Sequence, residues 1–255
     1  MSGFADHFSR DSVAYARFRP GYPPELFAWL ATLPAGRSVA WDCGTGTGQA
    51  AALLTPHFGL VVGSDPSRAQ LAAADRSSGA RYFAGSSESS ALAGRRVDLV
   101  TVAQALHWFD RERFYREVSR IIAPGGAFAA WSYGVLRSTP AVDRVIARFY
   151  GETVGPWWPP ERVLVENGYR DLAIPVAEAA APSFSIEARL TLEELLGYIR
   201  TWSAVGRFVV GRGYDPIPEL GEALGPVWGA PAVARPITWP LTIRAGRWLG
   251  EEAAA

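Results

Sequence analysis

The stretch Asp42-Cys43-Gly44-Thr45-Gly46-Thr47-Gly48-Gln49 decides the fold. It follows a β-like apolar run, Ser38 to Asp42, and precedes Ala50 to Leu54, a run suited to a helix. Glycines at alternate positions allow a tight turn and let a ligand lie against the backbone, with helix N–H groups facing it. Asp65 ends a second β-like run, Leu60 to Asp65, 21 residues after Gly44. An acid at that place can accept both hydroxyls of an adenosine ribose, so it locates an adenosine without naming the cofactor. A dinucleotide site wants glycine at the sixth position counted from Gly44, where this chain has Gln49, and that departure counts against NAD.

Two more β-like runs, Ala80 to Gly85 and Val97 to Ala103, continue the alternation of strand and helix that marks an α/β fold with a largely parallel sheet. Phe114, Val118, Ile121 and Ile122 recur at helical spacing between Arg111 and Ile122. Pro124-Gly125-Gly126 is expected to end that helix, and Ala127 to Trp131 to form a fifth strand. In the second half, Pro140 to Tyr150 and Leu192 to Trp202 read as helices, with the break Trp157-Trp158-Pro159-Pro160 between them. Ser183 to Leu190 and Ile237 to Ile243 alternate as strands do. No internal repeat or linker is visible, so one domain with an insertion is expected.

The chain has 255 residues, 49% hydrophobic and 20% charged, enough to bury a full core. Its 25 acidic residues balance 25 basic ones, leaving no net field for a polyanion such as nucleic acid or an anionic membrane. Every basic residue is Arg, which removes lysine-based and Schiff-base chemistry. A single Cys forbids an internal disulfide and favours a reducing, cytoplasmic setting. The first twenty residues carry Asp6, Arg10, Asp11, Arg17 and Arg19 and no apolar signal-like run, and no stretch is long enough to span a membrane.

The Asp-x-Gly-x-Gly-x-Gly pattern at Asp42 resembles motif I of the class I S-adenosylmethionine-dependent methyltransferases. Gly85-Ser86-Ser87-Glu88 is similar to that family's adenine-edge segment, and Val97 to Asp110 to its fourth strand and following loop. Pro124-Gly125-Gly126 before the fifth strand is also typical of it. The resemblance spans about residues 37 to 131 and implies an α/β, Rossmann-like seven-stranded fold that binds S-adenosyl-L-methionine. Carried over position by position, it assigns the cofactor to Asp42, Gly44, Thr45, Gly46, Gly48, Asp65, Pro66, Ser87, Glu88, Ala103 and Gln104. Phe18-Arg19-Pro20-Gly21-Tyr22-Pro23, Ala105-Leu106-His107-Trp108-Phe109-Asp110 and Thr201-Trp202-Ser203-Ala204 resemble a narrower subgroup related to trans-aconitate methyltransferase. That likeness implies a small-molecule acceptor. The expected layout is an N-terminal lid and helix over 1–36, a cofactor-binding core over 37–135, an acceptor-side insertion over 136–230, and a terminal strand and tail over 231–255.

Sulfonium methyl transfer needs chiefly a nucleophile held in line, so a base is required only if the acceptor is not already ionised. The chain has three histidines, His7, His57 and His107. Only His107 falls just past the carboxyl end of a strand, where open α/β sheets bind ligands, which makes it the candidate catalytic or orienting residue. Tyr15, Arg19, Tyr22, Trp108, Trp131 and Trp202, with His107, are the candidate acceptor-binding residues, because aromatic residues beside turns can line a pocket and an Arg can pair with a carboxylate. The Asn/Asp-Pro-Pro-Tyr/Phe signature of amino-methylating DNA and RNA enzymes is replaced by Ala103-Gln104-Ala105-Leu106. No carboxylate and histidine cluster of metal-ligand spacing is evident. The expected protein is therefore a cytoplasmic methyltransferase of small molecules, monomeric or homodimeric, with no metal and no nucleic-acid or membrane partner. An NAD-dependent oxidoreductase and a non-catalytic adenosylmethionine-binding protein stay open as alternatives.

Overall fold

The computed structural model describes residues 21–250. The N-terminal lid expected around Tyr15 and Arg19 lies outside them. Helix α1 (Pro24–Leu30) opens with Pro at its first turn and buries Leu26, Phe27 and Leu30. Strand β1 (Val39–Cys43) leads through the glycine turn into α2 (Gln49–Leu54). Strand β2 (Leu60–Asp65), α3 (Arg68–Ala72) and β3 (Arg81–Ala84) follow. Strand β4 (Val97–Ala103) is joined to α4 (Arg111–Ile121) by a short 3-10 turn, Leu106–Trp108. The side chain of Asp110 caps α4 by accepting from Arg113 N.

Strand β5 begins at Ile122, earlier than the Pro-Gly-Gly expectation allowed, and runs to Tyr133. Pro124-Gly125-Gly126 is an irregularity inside this strand: Ile122 pairs with Val97, yet Ala127 pairs with Leu99. A proline that cannot donate and a glycine at φ 74° bulge the chain out there before regular pairing resumes. Asp98 ties β4 to β1 by accepting from Ser38 N and Val39 N at 2.7 and 2.8 Å.

After β5 come α5 (Pro140–Arg148), a π-helical turn over Phe149–Thr153, and α6 (Arg162–Glu166). Two strands, β6 (Val176–Glu178) and β7 (Ser185–Leu190), precede α7 (Leu192–Arg200), which starts with a capping box between Thr191 and Glu194. Helices α8 (Ser203–Arg212) and α9 (Ile217–Trp228) complete the helical insertion. The 14-residue strand β8 (Arg235–Trp248) then returns to the sheet.

The sheet order is β3-β2-β1-β4-β5-β8-β6, parallel from β3 to β5, with β8 antiparallel to β5 and to β6. Seven strands form this path, and an eighth, β7, which falls on the expected Ser183–Leu190 run, pairs with Arg235–Pro240 of β8, whereas β6 was not expected from the sequence. The fold is thus Rossmann-like with helices on both faces. Side-chain alternation on β5 divides the core. Phe128 and Ala130 pack with Trp41, Phe114 and Val118, whereas Ala127, Ala129 and Trp131 pack with Phe27, Leu30 and Leu54 on the other face. A third cluster, built on Trp202, Trp228 and Trp239, holds the insertion together.

Trp131 is therefore a correction to the sequence reading. It is fully buried, edge-on to Phe27 and Tyr22 at 6.0 and 5.6 Å, and it belongs to the core, not to a pocket wall.

Candidate functional site

Two neighbouring cavities lie at the carboxyl ends of the parallel strands, where an open α/β sheet binds its ligands. The larger, about 490 Å³, is lined by the glycine turn after β1, the end of β2, the Gly85–Glu88 segment and the loop after β4. The smaller, about 70 Å³, is lined by His107, Trp108, Arg162 and residues of the insertion. Gln104 and Trp108 line both and form their common wall.

Of the residues predicted for the cofactor, Gly44, Gly46, Asp65, Pro66, Ser87, Glu88, Ala103 and Gln104 surround the larger cavity. Gly46 has φ 56°, a left-handed conformation that disfavours any side chain, and a Cβ there would meet only the Gln70 amide oxygen, at 3.8 Å. At Gly44, also left-handed, a Cβ would strike Ala105 Cβ at 2.7 Å and the Phe109 ring at 3.1 Å. The turn is accordingly closed toward the protein at Gly44 and open toward the cavity at Gly46.

Asp65 fixes this edge, accepting from Gly46 N at 2.9 Å and Ser67 N at 2.8 Å. Its carboxylate thereby joins the glycine turn to the start of α3. Glu88 accepts from Asp110 N at 3.2 Å and from Ser86 Oγ. Burial raises its pKa, but hydrogen bonds from Ser86 and Ser87 outweigh that and hold the carboxyl below its usual range.

Asp42, Thr45 and Gly48 stand behind the turn and line neither cavity. Thr45 and Thr101 donate to the two oxygens of the fully buried Asp42, at 2.5 and 2.8 Å. Burial lifts the Asp42 pKa to about 6 against the opposing pull of these hydrogen bonds. Asp42 thus braces the turn from below. Gly48 starts α2 beneath the Tyr82 ring, which a Cβ would strike. Ser67, Gln70, Phe109 and Arg113 also line the larger cavity without having been singled out as site residues. Arg113 was legible, as the residue one turn beyond the acid cap of α4.

Gln104 is one of three non-glycine residues with positive φ among those described. Its backbone N–H donates to Trp131 O and its side-chain amide to Tyr133 O, both at 2.9 Å. These two bonds over-determine a conformation that costs of order 1 kcal/mol or more, and they hold the common wall against β5.

His107 is buried, and its Nδ1 lies 2.9 Å from Tyr169 Oη. That contact lets the Tyr169 hydroxyl donate to Nδ1, the arrangement that goes with the Nε2–H tautomer of the ring. Burial pushes the Tyr169 pKa up, so the phenol keeps its proton. A ring that accepts at Nδ1 carries its own proton on Nε2. Burial, with the nearby Arg162 charge second, depresses the His107 pKa to about 3, so the ring is neutral at physiological pH. In that tautomer His107 is a hydrogen-bond donor on the wall of the smaller cavity.

Trp108 and Trp202, both predicted for the acceptor, line the smaller cavity. Tyr22 does not: it packs edge-on to Trp131 and Phe27 and lines neither cavity. Tyr15 and Arg19 lie outside the described residues. Tyr133, Gly134, Trp158, Pro159, Arg162, Tyr198 and Ser203 complete the wall with Gln104, and none of these seven had been named as an acceptor candidate. Among the described residues, no group of three His, Cys, Asp or Glu side chains could hold a metal ion, and no helix is long and apolar enough to cross a membrane.

Residues 41–130, the β1 to β5 core, match the family model of a methyltransferase domain. A Dictyostelium discoideum protein that carries a methyltransferase name is 32% identical over 225 residues, covering 87% of this chain and 86% of its own. A Saccharomyces cerevisiae protein named as an S-adenosylmethionine-dependent methyltransferase is 34% identical over 132 residues, but the alignment spans only 48% of this chain and 45% of that one. Among solved structures, one named as a type II methyltransferase from Anaeromyxobacter dehalogenans is 44% identical with a TM-score of 0.84, covering 90% of this chain and 97% of its own. Fold, site position and full-length similarity converge, and the chain belongs to the methyltransferase family.

Proposed function

We propose that this protein transfers the methyl group of S-adenosyl-L-methionine to an oxygen atom of a small-molecule acceptor. The observation that carries the reading is the pair of cavities sharing Gln104 and Trp108: one large enough for a nucleoside with its amino-acid tail, the other small and aromatic. Asp65 would accept the ribose hydroxyls, Gly46 would admit the amino-acid end against bare backbone, and Ser87, Glu88 and Phe109 would bound the adenine. The open space beyond Gly46, which a side chain would enter, fits a ligand lying against the turn. When bound, adenosylmethionine supplies an activated methyl group on a sulfonium with a good thioether leaving group.

The chain's own part in the transfer is positional. Gln104, clamped to β5, fixes the boundary across which acceptor and donor meet, and the aromatic rings of the insertion exclude water from it. His107 holds the acceptor through Nε2–H and leaves its nucleophilic oxygen free. The layout of a core over 37–135 with an acceptor-side insertion over 136–230 belongs to the same reading. So does the resemblance of the Leu106 to Asp110 and Thr201 to Ala204 segments to small-molecule methyltransferases related to trans-aconitate methyltransferase. The balanced charge of the chain argues for a small molecule over a nucleic acid. The test is release of adenosylhomocysteine from adenosylmethionine against a panel of carboxylic acids, phenols and thiols. Release with an oxygen acceptor is expected; adenosylmethionine binding without release across the panel would turn the reading to a binding protein.

A further inference from the structure

We infer that the smaller cavity is an anion subsite, in which the Arg162 guanidinium and the Nε2–H of His107 hold a carboxylate carried by the acceptor. The inference rests on the transfer reading above for calling the ligand an acceptor, but the site itself is argued from its walls. No Asp or Glu lines this cavity, whereas Arg162, His107 and Ser203 do. Arg162 begins α6, and only 19% of its side chain is exposed. Its guanidinium lies over the Trp158 ring, 4.5 Å from the centroid, and 5.6 Å from that of Tyr150.

Stacking of this kind uses the faces of the guanidinium and leaves its N–H edge for a partner in the plane. The Nε–H of that edge donates to Tyr150 Oη at 2.8 Å. Among the described residues nothing bonds to the Nη atoms. The nearest carboxylate, Glu166, is 3.9 Å from Nε, receives the Tyr150 hydroxyl, and is 46% exposed. Water therefore screens Glu166 more than it screens Arg162, and the charge that the cavity feels is positive. His107 lines the same wall, with Nδ1 engaged by Tyr169 and, in the tautomer that accepts there, its remaining nitrogen a donor. Two donors of fixed direction on separate elements, one of them a planar fork, match a carboxylate and repel an ammonium. A cavity of about 70 Å³ admits that group and a short stem, so the rest of the acceptor extends past Trp108 toward the larger cavity.

The test uses the full chain saturated with adenosylhomocysteine. The fluorescence of Trp108, Trp158 and Trp202 reports binding of acetate, acrylate and benzoate against acetamide, acrylamide and benzamide. Each carboxylate should bind at least tenfold tighter than its amide in the wild type. Arg162→Gln should erase the preference and Arg162→Lys restore part of it, circular dichroism confirming that both are folded. Equal affinity for acid and amide, absence of any carboxylate binding, or a preference undiminished in Arg162→Gln would overturn the inference. If Arg162→Gln does not fold, the test moves to Arg162→Lys and His107→Phe, each of which must weaken carboxylate more than amide. Carboxylate selectivity without adenosylhomocysteine release from any acceptor would uphold the subsite while removing the transfer reading. Release at equal kcat/KM from acids and their amides would do the converse.

Discussion

Replacing His107 with Gln separates a donor from a base, since Gln retains an N–H near the reach of Nε2 but cannot take up a proton at any working pH. The unfolded chain protonates this imidazole near pH 6.5, whereas the folded one resists until about pH 3. Between those values the unfolded state binds more protons, so the neutral ring's contribution to stability is complete above pH 6.5 and is lost as pH falls toward 3. Each pKa unit is worth about 1.4 kcal/mol, so the whole gap amounts to about 5 kcal/mol, and the part opening between pH 6.5 and pH 4 to about 3 kcal/mol. His107→Gln lacks this acid penalty. Urea unfolding of the two proteins at matched pH should show their stability difference moving by about 3 kcal/mol in favour of the variant between pH 7 and pH 4. In the same pair, wild-type kcat/KM should show no step between pH 6 and 8, and the substitution should raise acceptor KM more than it lowers kcat. A stability difference that does not move with pH, or a wild-type rate step near pH 6 to 7 that His107→Gln abolishes, would refute the neutral-donor assignment and make His107 the base.

Asp65→Ala removes a charged acceptor from the ribose position and frees two backbone N–H groups; adenosylmethionine affinity measured by calorimetry should fall at least tenfold, and unchanged affinity in a folded variant would remove Asp65 from the site. Gly46→Val places a β-branched residue at φ 56° with its side chain in the cavity, so cofactor binding should vanish while circular dichroism changes little; tight binding would contradict the close approach. Asp42 has the opposite acid–base sense to His107: its folded pKa of about 6 lies above the ordinary 3.8, so ionisation costs stability as pH rises through that window. Asp42→Asn stays neutral, and its stability relative to wild type should rise by up to about 3 kcal/mol from about pH 4 to about pH 7 in urea titrations; a constant difference would mean that the buried carboxyl titrates normally.

The runs Leu60–Asp65 and Val97–Ala103 could be bounded from sequence alone because strands buried on both faces read as continuous apolar stretches between breakers. The cofactor-side turn was legible for a related reason: its glycines and its acid act through backbone geometry within one β-α-β unit. Helices α8 and α9 were not expected. Gly206 and Gly211 interrupt the first and Pro226 the second, although Ile217, Leu220, Leu224 and Trp228 do keep helical spacing. The Trp131 error had a local remedy, since alternation along β5 puts Trp131 on the face of Ala127 and Ala129 that α1 covers. Arg162 had none. It sits two residues after Pro159-Pro160, where no period marks which way a side chain turns, and only the packing of the insertion over the β4 end brings it beside His107.

Strand β8 is synthesised after every strand it pairs with, and it lies between β5 and β6 with β7 along its first half. Until it arrives, a nascent chain can assemble β1 to β5 but carries the whole far side of β5 as an open, apolar edge, the kind of surface that recruits neighbouring chains. The register Ala127 with Arg247 through Tyr133 with Leu241 closes a loop of more than a hundred residues, a slow step for a folding chain. Loss of the last fifteen described residues would therefore do more than trim a border: it would leave the insertion's small sheet and the central sheet without the one segment they have in common, in a chain prone to self-association rather than to a smaller native state.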